Sequence, residues 1–242
     1  MFSQAIFKRT IRTLWRLWAI LTAILIGLFL ILSALPMSAK IVAMMIQQFY
    51  TLFSFLVPVI FIAIVGNKLV AAQVDDGSLS YALSSRIKRN QFSCTQAFCF
   101  AGSLLLTYLL LTLVGLIVIP ATGASLEIPQ FLLLNLGSFV LNFAFSGIAF
   151  FASCFFNSSR YSLAFGAGIP LFSLLMEMIA NLAVTNSAFE PFKYLTLNSL
   201  FNMEDILAYS PKMIWEFLLP FFLALSGYIG GILVFKKKDL PL

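Results

Sequence analysis

Residues 73–91 read Q-V-D-D-G-S-L-S-Y-A-L-S-S-R-I-K-R-N-Q, the longest polar passage in a chain that is otherwise mostly apolar. Asp75, Asp76 and Gly77 have turn chemistry, and Ser78 is placed to cap a short helix ending near Arg86, Lys88 and Arg89. Acids before the start and bases in the last turn suit the helix macrodipole. Leu79, Ala82, Leu83 and Ile87 follow helical spacing, which gives one apolar stripe beside a Ser/Lys face. A solvated connector is the plainer reading of such a loop. A compact amphipathic helix is more than a connector needs, and it suits a surface that another protein touches.

Working outward, both flanks are strongly hydrophobic. Of 242 residues, 61% are hydrophobic and only 10% charged, where a soluble protein carries about a quarter charged. The reading is therefore a polytopic all-α membrane protein, with 27 Phe residues suited to lipid-facing helices. The chain has no His, which removes the commonest general base and metal ligand. No metal site or catalytic residue is expected. The net charge of +6 sits beside apolar spans, so it points to membrane topology and not to nucleic acid. Cys94, Cys99 and Cys154 form no Cys-x-x-Cys pair and read as small buried hydrophobes.

The segment before the first span, 1–16, is basic and amphipathic. Lys8, Arg9, Arg12 and Arg16 share one helical face, while Phe7, Ile11, Leu14, Trp15 and Trp18 share the other. That pattern predicts a helix lying on an anionic lipid leaflet before the chain turns inward. A secretory signal is the rival, but the apolar run from Leu17 to Leu35 is longer than such a signal's core and right for a span. Spans 1 and 2 are expected within 17–72, spans 3 to 5 within 97–184, and span 6 at 213–235. Spans 4 and 5 are joined by a tight hairpin at Asn157 to Arg160, and an outer loop or re-entrant segment covers 185–212. There Asn202 is placed to cap a short helix with Asp205 three residues on.

Basic residues orient the chain. With both termini in the cytoplasm, the bases near 8–16, 68, 86–89, 160 and 236–238 are inside, and only Lys40, Lys193 and Lys212 lie outside. The expected location is the cell membrane.

Inside the spans, Glu177 is a lone carboxylate that faces protein or a water-filled cavity, or else hydrogen-bonds near the outer end. Gln47, Thr51 and Ser54 share one helical face, and Asn135, Ser138, Asn142 and Ser146 share another. Such stripes glue helices together or line a substrate path. Gly227-x-x-x-Gly231 permits close helix approach, and Pro58, Pro170 and Pro220 predict kinks.

Three passages together resemble the permease subunit of type-2 ABC exporters. They are Asp75 to Arg89 after the second span, the basic amphipathic N-terminal helix, and the ending G-G-I-L-V-F-K-K-K-D-L-P-L. The resemblance implies that Asp76, Gly77, Ser78, Leu79, Ala82, Leu83, Arg86 and Ile87 form a coupling helix docking on an ATPase. It implies that residues 1–16 are a connecting helix on the membrane surface. A second permease copy or paralogue would complete the pathway, and ATP and Mg would be bound by the separate ATPase subunit. Consistent with that division, the chain has no G-x-x-x-x-G-K-[ST] phosphate loop, so it binds no cofactor of its own under this reading. The cargo expected of such a Phe-rich bundle is an amphipathic peptide or a hydrophobic drug, with Gln47, Thr51, Ser54 and Glu177 on its path. The alternative is a non-transporting immunity or assembly factor that binds a partner protein. An intramembrane enzyme is disfavoured, since neither His nor paired intramembrane carboxylates are available for acid–base work.

Overall fold

A backbone in hydrocarbon must pair its own N–H and C=O groups, so apolar runs of this length fold as helices. The computed structural model describes residues 3–34, 38–79, 88–122, 126–181 and 196–238. Among these the structure is all-helical, with no strand. Six helical segments are long and apolar enough to cross a membrane, which marks a multi-pass membrane protein.

The first is α1, Gln4–Ser33. It runs unbroken through the boundary expected near residue 16, because no Gly or Pro interrupts it before Gly27. At about 45 Å it is longer than the roughly 30 Å hydrocarbon layer, so its basic first turns extend the span instead of forming a separate helix. The second span is composite. It comprises α2, Ala39–Gln48, a π-helical turn at Phe49–Phe53, α3, Ser54–Leu69, and α4, Ala71–Asp75. Four further long helices complete the six: α5, Arg89–Thr122, α6, Ile128–Phe155, α7, Ser159–Asn181, and α9, Lys212–Lys237. Between the last two lie a 3₁₀ turn, Asn198–Leu200, and α8, Met203–Leu207.

The post of the bundle is α6. In its most apolar stretch 72% is buried, against 17–33% for α1, α5, α7 and α9. It packs on α3, α5, α7 and α9. Gly147 and Gly227 let α6 and α9 touch backbone to backbone, since a Cβ on Gly227 would sit 2.6 Å from the Gly147 carbonyl. The close approach expected of Gly227 is therefore real, and its partner is Gly147.

The polar stripe on α6 is interhelical glue. Asn142 is buried, and its amide donates to the Tyr108 hydroxyl at 2.8 Å and the Ser54 carbonyl at 3.1 Å. The Tyr108 hydroxyl donates to the same carbonyl at 2.8 Å. The reason lies four residues on: Pro58 has no N–H, so the Ser54 carbonyl loses its ordinary helical partner. Two side chains from α5 and α6 replace that one missing donor. Asn135 donates to Thr112 at 2.6 Å, and the Ser146 and Tyr228 hydroxyls lie 2.8 Å apart, extending the same seam to α9.

Removing Asn142 should leave the buried Ser54 carbonyl to the Tyr108 hydroxyl and deprive that hydroxyl of its amide donor. Asn142→Ala is expected to cost roughly 1–3 kcal/mol of stability, read by reversible unfolding in mixed micelles. Pro58→Ala returns an N–H to position 58, so in that background the same substitution should cost less. Equal costs in the two backgrounds would mean that Asn142 does not serve the proline-freed carbonyl.

Candidate functional site

One end of the bundle gathers the start of α1, the end of α4, the start of α5, the α6–α7 hairpin and the end of α9. Among the described residues, every Lys and Arg except Lys40 and Lys212 belongs to this end. It is also where the 73–91 passage joins the bundle, and polar contacts hold it together.

The second span ends in a deliberate break. Val70 leaves helical geometry between α3 and α4, and the Ala71 N–H is satisfied by the Ser153 hydroxyl of α6 at 3.0 Å. The Asn67 amide donates to the Ser159 hydroxyl at 2.7 Å, and the Ser159 N–H donates to the Asp75 carboxylate at 3.1 Å. The α6–α7 hairpin is thereby pinned to the exit of the second span. On the other side, Lys238 donates to the carbonyls of Cys154 at 3.0 Å and Phe156 at 2.8 Å. A cation on the last carbonyls of α6 satisfies the helix end and its dipole together. Arg89, opening α5, donates to the Lys238 carbonyl at 2.7 Å.

The turn expected at Asp75 to Gly77 is present. Gly77 has φ +72°, a conformation that favours glycine. Within this turn the Ser78 N–H donates to the Asp76 carboxylate at 2.9 Å. Hydrogen bonds from the Ser78 hydroxyl and N–H, with Arg9 nearby, hold the Asp76 carboxyl below the usual carboxylate range. Helix resumes at Ser78 and Leu79. Leu79 is 1% exposed and belongs to the same core cluster as Ile6, Val70, Val74 and Phe92. The first residue of the expected apolar stripe thus packs onto its own bundle just after the positive-φ turn. Ala82, Leu83, Arg86 and Ile87 lie outside the described residues.

The other candidate positions divide by environment. Gln47 is half-buried, Thr51 is exposed and donates only to the Gln47 carbonyl of its own helix, and Ser54 is fully buried in the Asn142 seam. They do not form one stripe. The π turn buries Phe49 and Tyr50 side by side, edge-on to each other at 5.3 Å and packed toward Phe29 and Phe131, and this shifts the helical register between Gln47 and Ser54.

Glu177 accepts a hydrogen bond from the Asn198 amide at 2.8 Å, and Ser173 bonds the same asparagine. The carboxylate thus clasps the 3₁₀ turn to α7. Beside it, α8 opens as expected, with Asn202 accepting from the Glu204 N–H and donating to Asp205 at 2.7 Å.

On α1, Lys8, Arg9, Arg12, Trp15 and Arg16 are exposed, with the Arg16 guanidinium 5.9 Å from the Trp15 ring centre. Trp18 is different. Its indole N–H donates to the Thr107 hydroxyl at 2.9 Å and the Ser103 carbonyl at 3.0 Å. It is a bundle contact between α1 and α5, because a half-buried indole N–H needs an acceptor.

Sequence reading missed the anchoring roles of Asn67, Ser153, Ser159, Arg89 and Lys238. Each is a polar residue beside a span end, which is the only signal the sequence offers. No group of three or more potential metal ligands occurs among the described residues.

The Glu177 clasp should survive loss of charge. Glu177→Gln keeps an acceptor for Asn198 and should leave the 3₁₀ turn protected, whereas Glu177→Leu should release it. Alkylation of a Ser199→Cys reporter reads the difference as faster labelling in the Leu variant only. Faster labelling in both variants would show that the charge itself is required.

Comparison with known proteins gives no relative: no protein-family model, no curated protein and no solved structure matches the chain.

Proposed function

We propose that this chain is the membrane permease subunit of an ATP-driven exporter, coupled at its basic end to a separate ATPase subunit. The observation that carries it is the anchored exit of the second span. A passage with the acidic-Gly-Ser pattern of a coupling helix leaves a turn locked by Asp75, Asp76 and Gly77, at the end where the basic residues collect. A loop required only to connect two spans needs no such anchorage to the α6–α7 hairpin. The bases make this end cytoplasmic under the positive-inside rule, where an ATPase has access.

With Leu79 taken up by the bundle, the ATPase engages residues beyond it, within 80–89. Movement imposed there is passed through Asp75 to Ser159 and through Ala71 to Ser153, into α7 and α6. The composite second span, with its π turn and Pro58, is the part of the bundle suited to bend. A second copy or paralogue would complete the pathway, with the weakly buried α1 and α7 available to face it or lipid. An amphipathic peptide or hydrophobic drug is the proposed cargo, because the bundle surface is apolar and rich in Phe.

Replacing residues 80–87 by a flexible Gly/Ser segment of equal length tests the coupling. Asp75, Asp76, Gly77 and Leu79 are retained, so insertion and yield should match the natural protein. Capture of the ATPase from the native membrane should fall at least tenfold, with cargo export lost. Undiminished ATPase capture together with normal export would refute the coupling role.

A further inference from the structure

An apolar cavity of about 350 Å³ opens between α1, α3 and α5. Its walls include Ile11, Leu14 and Trp15 of α1, Phe61 of α3, and Gly102 and Leu106 of α5. The size falls within the range of small-molecule sites, about 300–1,000 Å³. The polar groups on its margin are already engaged: Thr10 donates to Gln96, and the Trp18 indole donates to Thr107. Nothing in the wall asks for a polar ligand.

The rim has the opposite character. A recess of about 670 Å³, lined by Lys8, Arg9 and Arg12, shares Phe7, Ile11 and Trp15 with the apolar cavity. The three bases are exposed, and Arg9 feels the charge of Asp76. An apolar slot continuous with a cationic shelf is complementary to one class of molecule, an amphiphile with an anionic head and a hydrocarbon tail. Basic residues at the end of a membrane span attract anionic headgroups, and an acyl chain gains by burial in proportion to its length.

The geometry points to a built site for one anionic phospholipid, its headgroup on Lys8, Arg9 and Arg12 and one acyl chain in the α1–α3–α5 cavity. The assignment goes beyond the exporter reading and requires only that the six spans sit in a bilayer. Occupancy would brace α1 against α3 next to the Asp76 turn, so lipid composition would bear on the same end of the bundle.

Brominated-lipid quenching tests it on the full chain. Trp215→Phe leaves Trp15 and Trp18, both at the cavity, as the fluorescent reporters. The protein is reconstituted in phosphatidylcholine vesicles holding increasing fractions of brominated phosphatidylglycerol or brominated phosphatidylcholine. Quenching by phosphatidylglycerol should saturate at a lower fraction, with a preference falling roughly fivefold for each base removed in Lys8→Gln and Arg12→Gln. Gly102→Phe should abolish the preference by filling the slot. A Cβ at Gly102 meets no atom within 4 Å, so the fold should tolerate the change. Equal quenching by the two lipids in the parent protein would overturn the proposal. So would a preference unchanged by Gly102→Phe, or an absence of quenching by either lipid, which would mean that a second copy or another protein covers the cavity.

Discussion

Everything in the bundle hangs on one carbonyl. Pro58 deprives Ser54 of its helical partner inside a region with no water to substitute, and Asn142 and Tyr108 supply the replacement from two other helices. The proline site thereby becomes a three-helix junction. The junction fixes the rotation of α6, which then presents Ser146 to Tyr228 and Gly147 to Gly227. Aromatic rings fill the remaining space, with Tyr228 packed against Phe143 and Phe150 at centroid distances of 5.3 and 5.2 Å.

The two ends of the bundle are closed by different chemistry. At one end, short polar clasps hold the segment before α9. Glu177 and Ser173 grip Asn198, and the Gln130 amide reaches the Leu207 carbonyl at 3.1 Å. At the basic end, cations cap carbonyls and serines brace a broken helix. That arrangement links the exit of the second span, the α6–α7 hairpin and the end of α9 into one unit. The exporter proposal assigns that unit the task of passing movement from the loop into the bundle.

Much of this was legible in the sequence. The apolar runs set the spans because crossing a bilayer takes about 20 residues, and the hairpin at Asn157 to Arg160 followed from its brevity. The stripe on α6 and the glycine pair on α9 announced close packing without naming partners. Other features needed the third dimension. Periodicity told that Leu79 sits on an apolar stripe, but not that the stripe's first residue turns inward. The register change between Gln47 and Ser54 depends on how Phe49 and Tyr50 meet Phe29 and Phe131, contacts from distant segments. Trp18 looked like an interfacial aromatic because its acceptors lie on α5, some 85 residues away.

The exporter account depends first on which side of the membrane the basic end occupies. Single-cysteine variants at two exposed positions, Lys237 and Glu204, in a background with the native cysteines replaced, measure this directly with a membrane-impermeant thiol reagent on intact cells. The account predicts that Lys237→Cys reacts only after the membrane is opened, while Glu204→Cys reacts at once. Prompt labelling of Lys237→Cys in intact cells would place the anchored loop outside, beyond the reach of any ATPase, and contradict the account.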